Sequence, residues 1–175
     1  MKKITLVLIS AFLAISLNLS AQTAVDKIFD KYNGSTGFTS VTMNKYMFEM
    51  IARMDTSIEN KEFREAISKL YSIRILAMDS VNSGGVNLYD VVMKSLPKKE
   101  YKELMTVKEE GTDIIFMVKE DNDIITELLL ITDGTDDENA LIVIKGEIDL
   151  ATIGAIGRSM NIEGLEQLEK LKEHK

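Results

Sequence analysis

The run MTVKEEGTDIIFMVKEDNDIITELLLITDGTDDENALIVIKGEI, from Met105 to Ile148, decides how this chain folds. Its apolar residues recur with a period near 2, the spacing at which successive side chains of an extended chain point to opposite sides. Four strands are expected in succession, Met105–Glu109, Asp113–Lys119, Ile124–Thr132 and Ala140–Ile148. Glu110 and Gly111, Glu120 to Asp123, and Asp133 to Asn139 separate them. Connections this short join antiparallel neighbours, because a parallel pair needs a much longer crossover. The four strands therefore read as a meander. Ile114, Phe116 and Val118 alternate with Ile115 and Met117, while Leu128 to Ile131 and Leu141 to Ile144 are apolar without interruption. Such strands want both faces of the sheet covered. Either helices lie on both sides, or one apolar face is left for a partner or a second copy.

Outward from the meander the period changes to 3.6. Val25, Ile28, Phe29 and Tyr32 predict an amphipathic helix over residues 24–32, stopped by Asn33, Gly34, Ser35, Thr36 and Gly37. Phe38 to Met43 reads as a short strand, and Asn44 caps a helix running to Met54. Met43, Met47, Met50 and Met54 fall on one stripe. With Ile51 nearby the stripe is expected to face the core, although thioethers also bind Cu(I) or offer an adaptable partner surface. Phe63, Ile67 and Leu70 predict a helix over Lys61–Leu70, and Tyr71 to Asp79 a half-buried strand with Tyr71, Ile73, Ile75 and Ala77 on one side and Ser72 and Arg74 on the other. Asn82, Ser83, Gly84 and Gly85 form a loop before Asn87, which caps a helix presenting Leu88, Val91 and Val92. Pro97 after Leu96 is expected to restart a helix whose inner face is Tyr101, Leu104 and Met105. Beyond the meander, Asp149 caps a helix with Leu150, Ile153, Ile156 and Met160, followed by Leu165, Leu168 and Leu171. Gly154 and Gly157 in that helix suit close approach to the sheet. The fold class is α+β, an antiparallel or mixed sheet with a C-terminal four-strand meander and helices packed on it.

Lys2 and Lys3 precede the apolar run Ile4 to Leu17, and small residues Ser20 and Ala21 follow. This is the layout of a secretory signal over residues 1–21, cleaved after Ala21, and it leaves residues 22–175 as one α+β domain. The run is shorter than the about 20 apolar residues needed to cross hydrocarbon, so no stable membrane span is expected after cleavage. No cysteine follows it to accept a lipid.

The chain has 21 Lys and Arg against 28 Asp and Glu, a net charge of −7, and loss of the leader makes it more acidic. Phosphate backbones are bound by clustered cations, so nucleic acid is not an expected partner. Without cysteine there is no thiol nucleophile and no disulfide. The one histidine, His174, lies next to the terminal residue, a poor place to hold an imidazole for a catalytic triad or to begin a zinc site. Gly84 and Gly85 have no following Lys, so no phosphate loop is present. Asp133, Asp136, Asp137 and Glu138 crowd one connection with Gly134, and Glu120, Asp121 and Asp123 another, but neither has the spacing of a calcium-binding loop. Solvated turns account for them, with a weak cation site as the alternative. No catalytic residue, cofactor-binding residue, metal ligand or cofactor is assigned. A carboxylate pair of the glycosidase kind meets in space and not along the chain, so a carboxylate-based hydrolase stays open, as does a small-molecule or lipid carrier.

The stretches LPKKEYKELMTVKEEGTDIIFMVKEDNDIITELLLITDG, from Leu96, and NALIVIKGEIDLATIGAIG, from Asn139, resemble the exported bacterial proteins grouped as the domain of unknown function 4252 family. The resemblance implies a periplasmic or cell-envelope setting in a Gram-negative bacterium and carries no site residues. The expectation is a non-catalytic exported protein that binds an envelope protein or associates with itself, through its sheet face or the methionine-bearing helix.

Overall fold

The meander strands pair in sequence order, and the register that joins them places apolar runs side by side. In the computed structural model, which describes residues 23–54, 61–79, 82–109, 111–134 and 139–150 together with Ile153, Gly154, Leu165 and Leu168, these strands are β3 (Lys102–Glu109), β4 (Thr112–Asp121), β5 (Ile124–Gly134) and β6 (Asn139–Gly146). Ile115 lies opposite Ile131, and Leu128 opposite Ile144. The β4–β5 hairpin turns through Asn122 and Asp123 at φ of 50° and 64°, the left-handed region that short polar side chains tolerate. Before the meander come α1 (Ala24–Tyr32), β1 (Phe38–Asn44), α2 (Lys45–Met54), α3 (Lys61–Ser68), β2 (Leu70–Met78) and α4 (Leu88–Ser95). The sheet order is β1-β2-β6-β5-β4-β3, with every neighbouring pair antiparallel.

β5 and β6 are central, which is why their apolar runs are continuous: Leu128 to Ile131 and Leu141 to Ile144 are each no more than 5% exposed. On one face, Phe116, Leu128, Leu130, Ile142, Ile144 and Ile73 pack against Phe48 of α2 and Ile67 of α3, together with Ile153, Leu165 and Leu168. On the other, Leu129, Ile131, Leu141, Val143 and Leu76 pack against Val25, Ile28 and Phe29 of α1 and Leu88 and Val92 of α4. Helices of the chain itself thus lie on both sides of the sheet. Met117 is half-buried against the second cluster.

Local signals held where polar groups cap a helix. Thr23 and Asp26 form a reciprocal capping box at the start of α1, and Asn87 accepts from the Asp90 amide at 2.7 Å at the start of α4. The Asn44 side chain accepts from the Met47 amide at 3.3 Å. Three expectations fail for tertiary reasons. Leu70 opens β2 instead of closing α3, and Leu76 and Met78 are buried on the side where an exposed face was expected, because α1 and α4 cover it. Pro97 does not restart a helix. Leu96 sits at ψ 132°, the extended conformation that a following proline favours, one turn closes from Pro97 to Glu100, and pairing with β4 draws Lys102 onward into β3. Residues Leu104 and Met105 are therefore strand residues. Of the expected C-terminal helices, Leu150, Ile153 and Gly154 are helical and the Ile153 amide donates to the Asp149 carbonyl. Ile156, Gly157, Met160, Leu171, His174 and the leader lie outside the described residues. Among the described residues, no helix is long and apolar enough to cross a membrane.

Candidate functional site

Two features stand apart from ordinary core and surface. The first is the outer side of α2. At 100° per residue, Phe48, Ile51 and Ala52 share one side of KYMFEMIARM, and that side meets the sheet. Tyr46, Met47, Met50 and Met54 are left on the solvent side, 69%, 37%, 44% and 76% exposed. Of the four stripe methionines only Met43 is buried; it lies in β1, opposite Ile73. The core-facing reading is overturned for Met47, Met50 and Met54, because Phe48 and Ile51 occupy the sheet-facing positions. Val41 of β1 and Tyr71 of β2 are also exposed, so six of the seven large exposed hydrophobics among the described residues sit on β1, α2 and the first residues of β2. No Asp or Glu occurs between Asp30 and Glu49, an acid-free stretch in an acidic chain.

The second feature is a row of partly buried charges, with Glu127 its one fully buried member, at one end of the other face. β4, β5 and β6 set Lys119 opposite Glu127 and Glu127 opposite Lys145. From α1, Asp26 receives the Arg74 guanidinium at 2.9 Å and the Lys145 ammonium at 3.1 Å. Arg74 also lies over the Phe29 ring, 3.8 Å from its centroid. Glu127 is 5% exposed, its nearer oxygen is 4.0 Å from the Lys145 Nζ, and that oxygen has no hydrogen-bond partner. Burial pushes the Glu127 carboxyl above its ordinary range, outweighing the opposite pull of Lys145, Tyr101 and Lys119. Burial, reinforced by the Glu127 charge, likewise raises the Tyr101 phenol. Burial also acts to raise Asp26, but the hydrogen bonds from Thr23 and Lys145 and the Lys145 charge prevail, and its carboxyl sits below the ordinary value. Two carboxylates sharing one lysine are thus driven in opposite directions by their surroundings.

Lys119 connects this row to an open depression of about 610 Å³ lined by Lys99, Glu100, Lys102, Lys119, Glu120, Asn122 and Asp123. Four of its charges are paired, Lys102 with Glu120 and Lys119 with Glu100. Neither Glu127 nor Asp26 lines it. The acidic turn at Glu120 to Asp123 belongs to this rim, and Glu120 is taken up by Lys102. In the other turn, Asp133 and Gly134 extend β5, the Asn139 side chain bonds the Gly134 backbone, and residues 135–138 lie outside the described ones. Among the described residues, no three His, Cys, Asp or Glu side chains converge as metal ligands would. Sequence reading passed over the charged row, whose one local signal is a glutamate inside the apolar run ITELLLIT.

The family described as domain of unknown function (DUF4252) matches residues 32–156, most of the chain. The chain belongs to that family. The DUF4252 match spans β1 to β6 and so takes in the outer side of α2 and the strand residues of the charged row, with Asp26 of α1 outside it, and it assigns a role to neither feature. No curated protein and no solved structure matches the chain.

Proposed function

We propose that this protein is a non-catalytic protein exported to the bacterial cell envelope, and that it works by binding protein through the corner made of β1, the start of β2 and the outer side of α2. The observation that carries the reading is the gathering of exposed apolar side chains, three of them methionines, on that one corner. Exposed apolar residues scattered singly need no explanation, whereas a concentration of them marks a contact surface. Unbranched thioethers adapt to irregular partners, which suits Met47, Met50 and Met54 to this use. Export is supported by Lys2, Lys3 and the apolar run Ile4 to Leu17.

A hydrolytic reading would rest on Glu127, whose raised carboxyl suits a general acid. That carboxyl is held among Lys145 and Tyr101 and does not line the depression, so it is better read as part of the clasp between α1 and the sheet. A lipid carrier needs an enclosed apolar cavity, and the depression at Lys119, among the described residues, is open and charged and does not serve that reading.

The test is a photo-crosslinking residue placed at Met50 and, separately, at exposed Thr106 of β3, in cells carrying the full chain. Crosslinked species are expected from position 50 and not from 106. If positions 46, 47, 50 and 54 all capture nothing, the reading fails. Fractionation of the same cells should find the protein in the periplasmic or envelope fraction, and retention in the cytoplasm would remove the export half.

A further inference from the structure

The two edges of the sheet are built differently. β3, KELMTVKE, carries Lys102, Glu103, Lys108 and Glu109, and its register slips between Glu103 and Met105. Charges and bulges are what keep an edge strand from pairing with another chain. β1, FTSVTMN, has neither: it contains no charged residue and no proline, and it pairs with β2 in unbroken register from Phe38 to Asn44. Its middle residue, Val41, is 44% exposed. Val41 shares the parity of Met43, which is buried in the cluster beneath α2, so it stands on the α2 side of the sheet.

We infer that β1 pairs antiparallel with β1 of a second copy, across a two-fold axis through Val41, joining two six-stranded sheets into one. The inference rests on the contact reading above and names the occupant of part of that corner. A two-fold contact must be self-complementary. Centred on Val41, the pairing sets Val41 against the second copy's Val41, Ser40 against Thr42, Thr39 against Met43 and Phe38 against Asn44, with no charge on either strand. Charge selects a second copy at this place. Each chain is net negative, and a copy is repelled wherever acids would meet acids; β1 lies inside the stretch without Asp or Glu between Asp30 and Glu49. Acids elsewhere on the two chains are screened beyond about 10 Å. The new pair has the same antiparallel geometry as the other five in the sheet. The axis lies perpendicular to the sheet, so both copies of α2, with Met47 and Met50, come to the same side.

Sedimentation of the protein purified from cells, over a range of concentrations, should show a dimer. Val41→Glu places like charges face to face and should weaken the dimer on the order of 100-fold. Val41→Lys should do the same, and an equimolar mixture of the two variants should recover a mixed dimer that neither forms alone. Thr106→Glu on β3 should leave the dimer intact, and the thermal midpoint of each variant reports folding independently. A chain monomeric at every concentration, a dimer indifferent to Val41→Glu, or two folded variants that fail to recover on mixing would each overturn the pairing. If the chain is monomeric while position 50 crosslinks to a different protein, the pairing is wrong and the contact reading stands. If position 50 captures nothing as well, both fall.

Discussion

The two faces of the sheet bury similar side chains but end differently. The face under α2 and α3 is apolar throughout its cluster. The face under α1 and α4 is apolar across Leu129, Ile131, Leu141 and Val143 and then meets the row of Asp26, Arg74, Lys145 and Glu127. The difference teaches how each helix layer is held. Apolar burial is strong and non-directional, so α2 and α3 are fixed by shape, whereas α1 is also tied by directional bonds from Asp26. The second arrangement carries a cost, because a buried charge must recover in pairing what it loses in hydration.

The comparison breaks most severely in the apolar layer. Phe116 is fully buried at the centre of the first face, and Phe116→Ala should lower unfolding free energy by about 3–5 kcal/mol, read from the denaturant midpoint. Asp26→Ala comes next. It leaves Arg74 and Lys145 without their carboxylate in a partly buried setting, and a loss of about 1–3 kcal/mol is expected. Hydrogen exchange should show that loss concentrated in α1. If Asp26→Ala opens α2 as readily as α1, the clasp has been misassigned.

Glu127→Gln tests the cost of the one buried carboxyl in the row and has the opposite sign. The folded-state pKa of Glu127 is raised, so its contribution is most favourable below the ordinary carboxylate value and is lost as pH rises through the folded value. The variant, which never ionises, should therefore be more stable than wild type at neutral pH by about 1 kcal/mol, an advantage that vanishes on acidification. Asp26 works the other way: its pKa is lowered, so its stabilisation is present above the ordinary value and is lost as pH falls through the folded one. Stability measured against pH for wild type and the two variants separates these contributions, and a Glu127→Gln advantage that grows on acidification would reverse the assignment. The smallest effect on folding belongs to Met50→Glu, on the solvent side of α2. Its denaturant midpoint should correspond to a change within about 0.5 kcal/mol, while crosslinking from neighbouring Tyr46 is abolished.

Much of the architecture was legible along the chain. α1 runs over the residues its 3.6 period marked, and the caps at Asn44 and Asn87 lie where expected. The meander is read from period and turn length alone, since an antiparallel hairpin is a local event. The candidate surfaces were legible only in part. A glutamate amid ITELLLIT stands out, yet Asp26 and Lys145 bond across 119 positions, and no local pattern announces that meeting. The failed helix after Pro97 has the same origin, a segment with helical spacing captured by a strand partner.

What the sequence by itself determined is the alternation of strand and helix and the need to cover the sheet twice, because side-chain direction along a regular backbone follows from residue spacing. Tertiary structure alone decided which side of α2 meets solvent. KYMFEMIARM is apolar most of the way round, so its own pattern leaves the rotation open. The space above β1 and β2 receives Phe48 and Ile51, and the methionines are exposed because close packing admits one side of a helix and excludes the other.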